Sequence, residues 1–114
     1  MTASDLRSLV AGLSLLCWGL GSAALAADAR KPATHTVTIE GTRFQPEVLK
    51  IKAGDTVVWV NKDFFSHTAT SKGGGFDSKE IKTDESWKYT VTKKGELAYV
   101  CTLHPSMKGT LRVE

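Results

Sequence analysis

From His35 to Val113 the chain is written in short stretches where apolar and polar residues alternate, each cut off by glycine or a polar cluster. Successive side chains of an extended strand point to opposite faces, so a period of two gives one apolar and one polar face. Residues 35–40 place Val37 and Ile39 on the buried face, and residues 48–52 place Leu49 and Ile51 inward with lysines outward. Ala53-Gly54-Asp55 is a turn, where Gly supplies the unusual backbone angle and Asp bonds locally. Residues 56–61 are apolar enough to be buried on both faces. Residues 62–66 form a loop that delivers a short strand, 67–70, and the glycines of 71–75 follow. Residues 86–92 set Trp87, Tyr89 and Val91 inward, and 93–96 read as a hairpin-like link to a strand with Leu97, Tyr99 and Cys101 on one face. Residues 109–113 close the series. No helical period beyond about one turn is present, with room for a brief helix only at 77–82. Six or seven such strands predict an all-β chain folded as an antiparallel β-sandwich.

The N-terminus follows another rule. After Arg7 comes an apolar run from Leu9 to Leu20, then small residues ending in Ala24-Leu25-Ala26. That order fits a secretory signal peptide over residues 1–26, leaving one domain, 27–114. The rival is an uncleaved anchor, since residues 9–27 could almost span a bilayer. Leu16 before Cys17 argues against lipidation, where a small residue is needed. Cleavage removes Arg7 and Asp5 together, so the net charge stays at +3. The lysines are dispersed and no aromatic-and-basic ladder accompanies them, which excludes nucleic acid as a partner and suggests acidic ones.

Cleavage also leaves Cys101 as the single thiol. Exported domains ordinarily pair their cysteines, so a lone one needs a reason. Cys101-Thr102-Leu103-His104-Pro105-Ser106-Met107 supplies it: a thiol, an imidazole and a thioether, each three residues after the last. All are ligands for soft or borderline metals. Each has a plain alternative, as an inert buried Cys, a surface His and a core-filling Met. Their regular spacing makes the joint accident improbable. A fourth donor must come from elsewhere. Of the three histidines, His35 sits at the first strand's start with no partner nearby and reads as structural or exposed, which leaves His67.

Zinc prefers closed sites with more than one cysteine. Two imidazoles, one thiolate and a thioether form the set of blue-copper electron-transfer sites. Thiolate and thioether favour Cu(I), imidazoles favour Cu(II), and a rigid mixed set serves both without large ligand movement.

From about Thr34 to Glu114 the chain resembles the cupredoxins, the small blue copper proteins. Trp59-Val60-Asn61-Lys62-Asp63 followed by His67 looks like the first ligand segment of the plastocyanin-like branch. The 101–107 loop resembles the amicyanin ligand loop, with two residues between His and Met. The resemblance implies a Greek-key sandwich with one copper ion near one end, His67, Cys101 and His104 as equatorial ligands and Met107 as axial ligand. The family commonly has Asn after the first His, tying the two ligand loops; here that residue is Thr68, whose hydroxyl makes a different set of bonds.

The implied function is one-electron transfer in the periplasm by a monomer that meets its redox partners transiently. His104 is then the exit, with Leu103 and Pro105 as an apolar contact and lysines such as Lys62, Lys72 and Lys108 steering acidic partners. Catalysis is disfavoured, because four donors leave no open position for substrate. A second copper site would need further histidines, and Ala27 rather than His follows the cleavage point. The competing reading is storage or delivery of copper, which the same ligands would serve.

Overall fold

The structure, a computed structural model, describes residues 30–114; the predicted signal segment 1–26 lies outside the described residues. Eight strands follow in order: β1 (Thr34–Ile39), β2 (Phe44–Gln45), β3 (Val48–Ile51), β4 (Thr56–Asn61), β5 (Thr70–Ser71), β6 (Ser86–Thr90), β7 (Gly95–Val100) and β8 (Lys108–Val113). They form two four-stranded sheets, ordered β2-β1-β4-β6 and β3-β8-β7-β5. The all-β sandwich is therefore as expected, and the described residues contain no helix.

Several expectations need correction. The sheets are mixed rather than antiparallel. β1 runs parallel to β4, with Val37 opposite Trp59, and β3 runs parallel to β8, with Leu49 opposite Leu111. The chain crosses repeatedly from one sheet to the other, so neighbours within a sheet are mostly distant in sequence and their direction is not set by a local hairpin. For the same reason 93–96 is no hairpin link: β6 and β7 lie in different sheets, and Gly95, at φ 115°, already begins β7. The possible helix at 77–82 is irregular chain, with a left-handed residue at Lys79 (φ 59°). Asp77 bridges to Thr70 and Ile81 to His67, and Ile81 is buried in the core.

β4 is the spine of the first sheet. Val57, Trp59 and Asn61 are wholly buried, while Thr56, Val58 and Val60 are half-buried. The expected burial of both faces thus holds for one only, the face that meets the other sheet. Trp59 sits in an aromatic cluster, its ring centroid 5.4 Å from Tyr99 across the sandwich, 5.5 Å from Phe76 and 5.6 Å from Trp87. Such rings bury large areas and dominate a core of this size. Tyr99 also lies edge-on to Phe44 at 4.7 Å. Its ring rests on Gly109 of β8, where a Cβ would overlap the ring.

At the start of β4 the buried carboxylate of Asp55 pins the chain. It accepts the N–H of Ala33 (3.0 Å) and of Lys52 (3.1 Å) and pairs with His35 Nε2 at 2.9 Å. His35 is thus structural, its partner being distant in sequence. The opposite end of β4, at Asn61, faces the loops that carry the predicted ligands.

Candidate metal centre

Two loops supply the site. The first leaves β4 at Asn61, whose wholly buried side chain is a loop organiser. Its Nδ2 donates to the carbonyls of Phe65 (2.8 Å) and Ile81 (2.9 Å), and its Oδ1 accepts the N–H of Asp63 at 2.8 Å. Every bond an amide of this kind needs when buried is nearly filled. The loop then enters the His67–Ile81 bridge, with His67 N to Ile81 O at 3.1 Å and the return bond at 2.7 Å. His67 is held there with no exposed surface.

The second loop leaves β7 at Val100. His104 N–H donates to Cys101 O at 3.3 Å, Met107 N–H to His104 O at 2.8 Å, and Cys101 N–H to Met107 O at 3.2 Å. Two successive three-residue turns explain the ligand spacing: each donor follows the last by one turn, and the final bond brings residue 107 back beside residue 101. Cys101 and Met107 are buried, His104 half-buried.

The two loops meet at Cys101. Its Sγ lies 3.7 Å from His67 Nδ1 and 3.9 Å from His104 Nδ1, and one ligand atom from each residue lies within 4.8 Å of the others. The two imidazole rings are 4.8 Å apart, centroid to centroid. An ion bound at about 2.3 Å to sulfur and about 2.0 Å to nitrogen, with ligands about 120° apart, needs a sulfur–nitrogen separation of about 3.7 Å. Both sulfur–nitrogen separations are thus close to what a trigonal site requires. The three donors fit a single soft or borderline metal ion, and the remaining predicted donor, Met107, lies on the same loop.

Further bonds fix the donors. Thr68 N–H points at Cys101 Sγ at 3.3 Å. The Thr68 hydroxyl accepts the N–H of Thr102 at 2.9 Å and meets the hydroxyls of Thr70 (2.9 Å) and Thr102 (3.1 Å). Thr in place of the family's Asn therefore still ties one ligand loop to the other. On its far side His67 Nε2 bonds to Asp63 Oδ2 at 2.9 Å. With Nε2 directed at this carboxylate, Nδ1 faces the sulfur, the usual way a carboxylate orients a metal-binding imidazole. Burial alone would raise the Asp63 carboxyl, but the N–H groups of Thr42 and Gly41, together with His67, outweigh it and hold it below the ordinary carboxylate range.

Sequence reasoning missed Asn61 and Asp63 as supports, because both bind local and distant partners at once, and the distant ones, Ile81, Gly41 and Thr42, are brought to them by the fold. It also missed an exposed aromatic pair. Leu103 and Pro105 are exposed beside His104 as expected, but Phe64 and Phe65 are the largest apolar protrusions, 93% and 64% exposed, and the Phe65 ring lies 6.5 Å from that of His104. Two aromatics where a polar loop is expected were the available signal. Of the proposed steering lysines, Lys72 and Lys108 are exposed, and Lys62 lies 4.0 Å from Asp84.

Comparison with known proteins agrees with this geometry. A family model described as a cupredoxin-like domain matches residues 10–113. Amicyanin-alpha of Methylorubrum extorquens is 33% identical over 101 residues, covering 83% of this chain and 85% of the relative. The crystal structure of amicyanin from Paracoccus versutus gives a TM-score of 0.64 at 35% identity, covering 78% of this chain and 88% of that one. A copper-containing nitrite reductase from Thermus scotoductus SA-01 gives a TM-score of 0.67 at 35% identity over 75% of this chain, which spans only 23% of the reductase.

Proposed function

The chain belongs to the cupredoxin-like family, and from that premise we propose that it is an exported blue copper protein that carries single electrons between redox partners. The observation that carries the reading is the convergence of Cys101 Sγ with the Nδ1 atoms of His67 and His104, at 3.7 and 3.9 Å, in loops that are already hydrogen-bonded to one another. His67, Cys101 and His104 would hold the copper ion, with Met107 as a further donor. Copper supplies the exchange between Cu(I) and Cu(II), which needs no proton and no bound substrate.

The chain's own residues do the rest. The Thr68 N–H directed at the sulfur fixes the position of Cys101 Sγ. The Asp63 and Thr68 bonds hold ligand positions fixed, so a change of oxidation state requires little rearrangement. His104 is half-buried and forms the path outward. Phe65, Leu103 and Pro105 around it exclude water from the contact with a partner, and Phe64 extends the apolar face. Small, short-lived interfaces suit redox encounters, and Lys72 and Lys108 bias the approach toward acidic partners.

The full set of four donors, which would leave no open position for a substrate, supports a carrier role over catalysis. The N-terminal apolar run supports export, and the protein would then work in the periplasm as a monomer. The test is repeated oxidation and reduction of the copper-loaded protein by voltammetry in the presence of a copper chelator. A carrier keeps its copper and a reversible response through many cycles. Loss of copper to the chelator on reduction would instead indicate storage or delivery. Replacing Phe65 or Leu103 by Ala is expected to slow electron exchange between molecules while leaving the blue colour unchanged.

A further inference from the structure

The turn between β1 and β2 has a feature that a simple hairpin does not require. Gly41 and Thr42 both have positive φ, 63° and 57°. Positive φ at both central residues suits a tight two-residue turn, but asparagine and glycine are the residues that accept it easily. A β-branched residue there is an outlier that needs a compensating role. Both N–H groups of the turn point at one carboxylate more than 20 residues away. Gly41 N–H donates to Asp63 Oδ1 at 2.8 Å and Thr42 N–H to Asp63 Oδ2 at 2.9 Å. The Oδ2 atom also takes His67 Nε2 at 2.9 Å. A further bond, Lys62 N–H to Ile39 O at 2.8 Å, stitches the end of β1 to the same loop.

We propose that the Gly41–Thr42 turn is a positioning element of the metal centre: its paired N–H groups hold the Asp63 carboxylate, and the carboxylate holds the His67 ring. The proposal rests on the copper reading above and extends the site to a turn that contributes no ligand. Successive N–H groups in such a turn make a concave seat for an anion. Two oxygens here receive three N–H donors. An amide cannot replace that carboxylate, because its NH₂ would face one of the three donors. The positioning group is the backbone N–H of residue 42, not the Thr42 side chain, and it acts through Asp63 and then His67.

The backbone N–H of Thr42 can be removed alone by substituting an ester for that peptide bond in semisynthetic residues 27–114. The first readout is exchange of the His67 Nε2 proton with solvent, followed by NMR in the copper-free protein. The second is copper affinity by chelator competition. The ester form is expected to exchange that proton at least about tenfold faster and to bind copper about tenfold more weakly, the usual effect of losing an outer support of a ligand. Thr42→Gly keeps the N–H and fits positive φ, so it should match the parent in both. Should that ester form not fold, an ester that removes the Gly41 N–H instead takes its place, with the same two shifts expected. Unchanged ring-proton exchange, or faster exchange with unchanged affinity, would overturn the proposal. So would a Thr42→Gly protein altered as much as the ester form. A parent protein that takes up no copper would sink the copper reading instead, while the ring proton still reports whether the turn holds His67.

Discussion

Replacing Thr68 with Val tests whether a hydroxyl ties the two ligand loops. Val keeps the branched shape and the backbone N–H that faces Cys101, and removes only the oxygen. That oxygen accepts the Thr102 N–H at 2.9 Å and meets two hydroxyls at 2.9 and 3.1 Å, which fills the capacity of a hydroxyl. A net hydrogen bond is worth about 1 kcal/mol. Because Thr102 is exposed and its own hydroxyl can turn to water, the loss should be about 2 kcal/mol rather than three full bonds. For a domain of this size that lowers the melting temperature by roughly 8–16 °C. Thermal and urea unfolding of the copper-free protein measure it without interference from metal binding. Thr68→Ser should recover most of the loss, since it restores the oxygen. A Thr68→Val protein within about 0.5 kcal/mol of the parent would refute the claim that this oxygen joins the loops.

Two further outcomes follow from the core. Gly109→Ala places a Cβ in the Tyr99 ring, which Phe44 and Trp59 prevent from moving aside; destabilisation of about 2–3 kcal/mol is expected in urea unfolding. Burial, with some help from Glu47 and against the opposing influence of the Trp59 indole, pushes the Tyr99 hydroxyl from 10 up to about 12. A group whose folded value is raised contributes stability that is fully present below the unfolded value and disappears as pH climbs through the folded one. Stability should therefore fall by about 2 kcal/mol between pH 10 and 12, beyond the general alkaline decline. Tyr99→Phe should remove that component, and at neutral pH it should cost little, because the Tyr99 oxygen is buried without a hydrogen-bond partner.

The strands and the ligand cluster were legible for different reasons. Alternation reports which side chains share a face, so Val37, Ile39, Ile51, Tyr99 and Cys101 were read correctly as inward. It does not report which strand lies beside which. The parallel β1–β4 and β3–β8 pairs and the crossing from β6 to β7 were therefore hidden. β2 has only two residues, too few to display a period, although Phe44 is buried. His67, Cys101 and His104 could be named because their side-chain chemistry is rare and specific. Asp63 and Asn61 are of ordinary residue types, and their roles depend in part on partners such as Gly41, Thr42 and Ile81 that the fold brings to them.

The most direct measurement is titration of the purified residues 27–114 with Cu(II), followed by visible absorption. One equivalent should produce an intense blue band from charge transfer between the Cys101 sulfur and the metal, and Cys101→Ala should abolish it while the protein stays folded. A parent protein that remains colourless, or a Cys101→Ala protein that keeps the band, would contradict the assignment of this cluster as a blue copper centre.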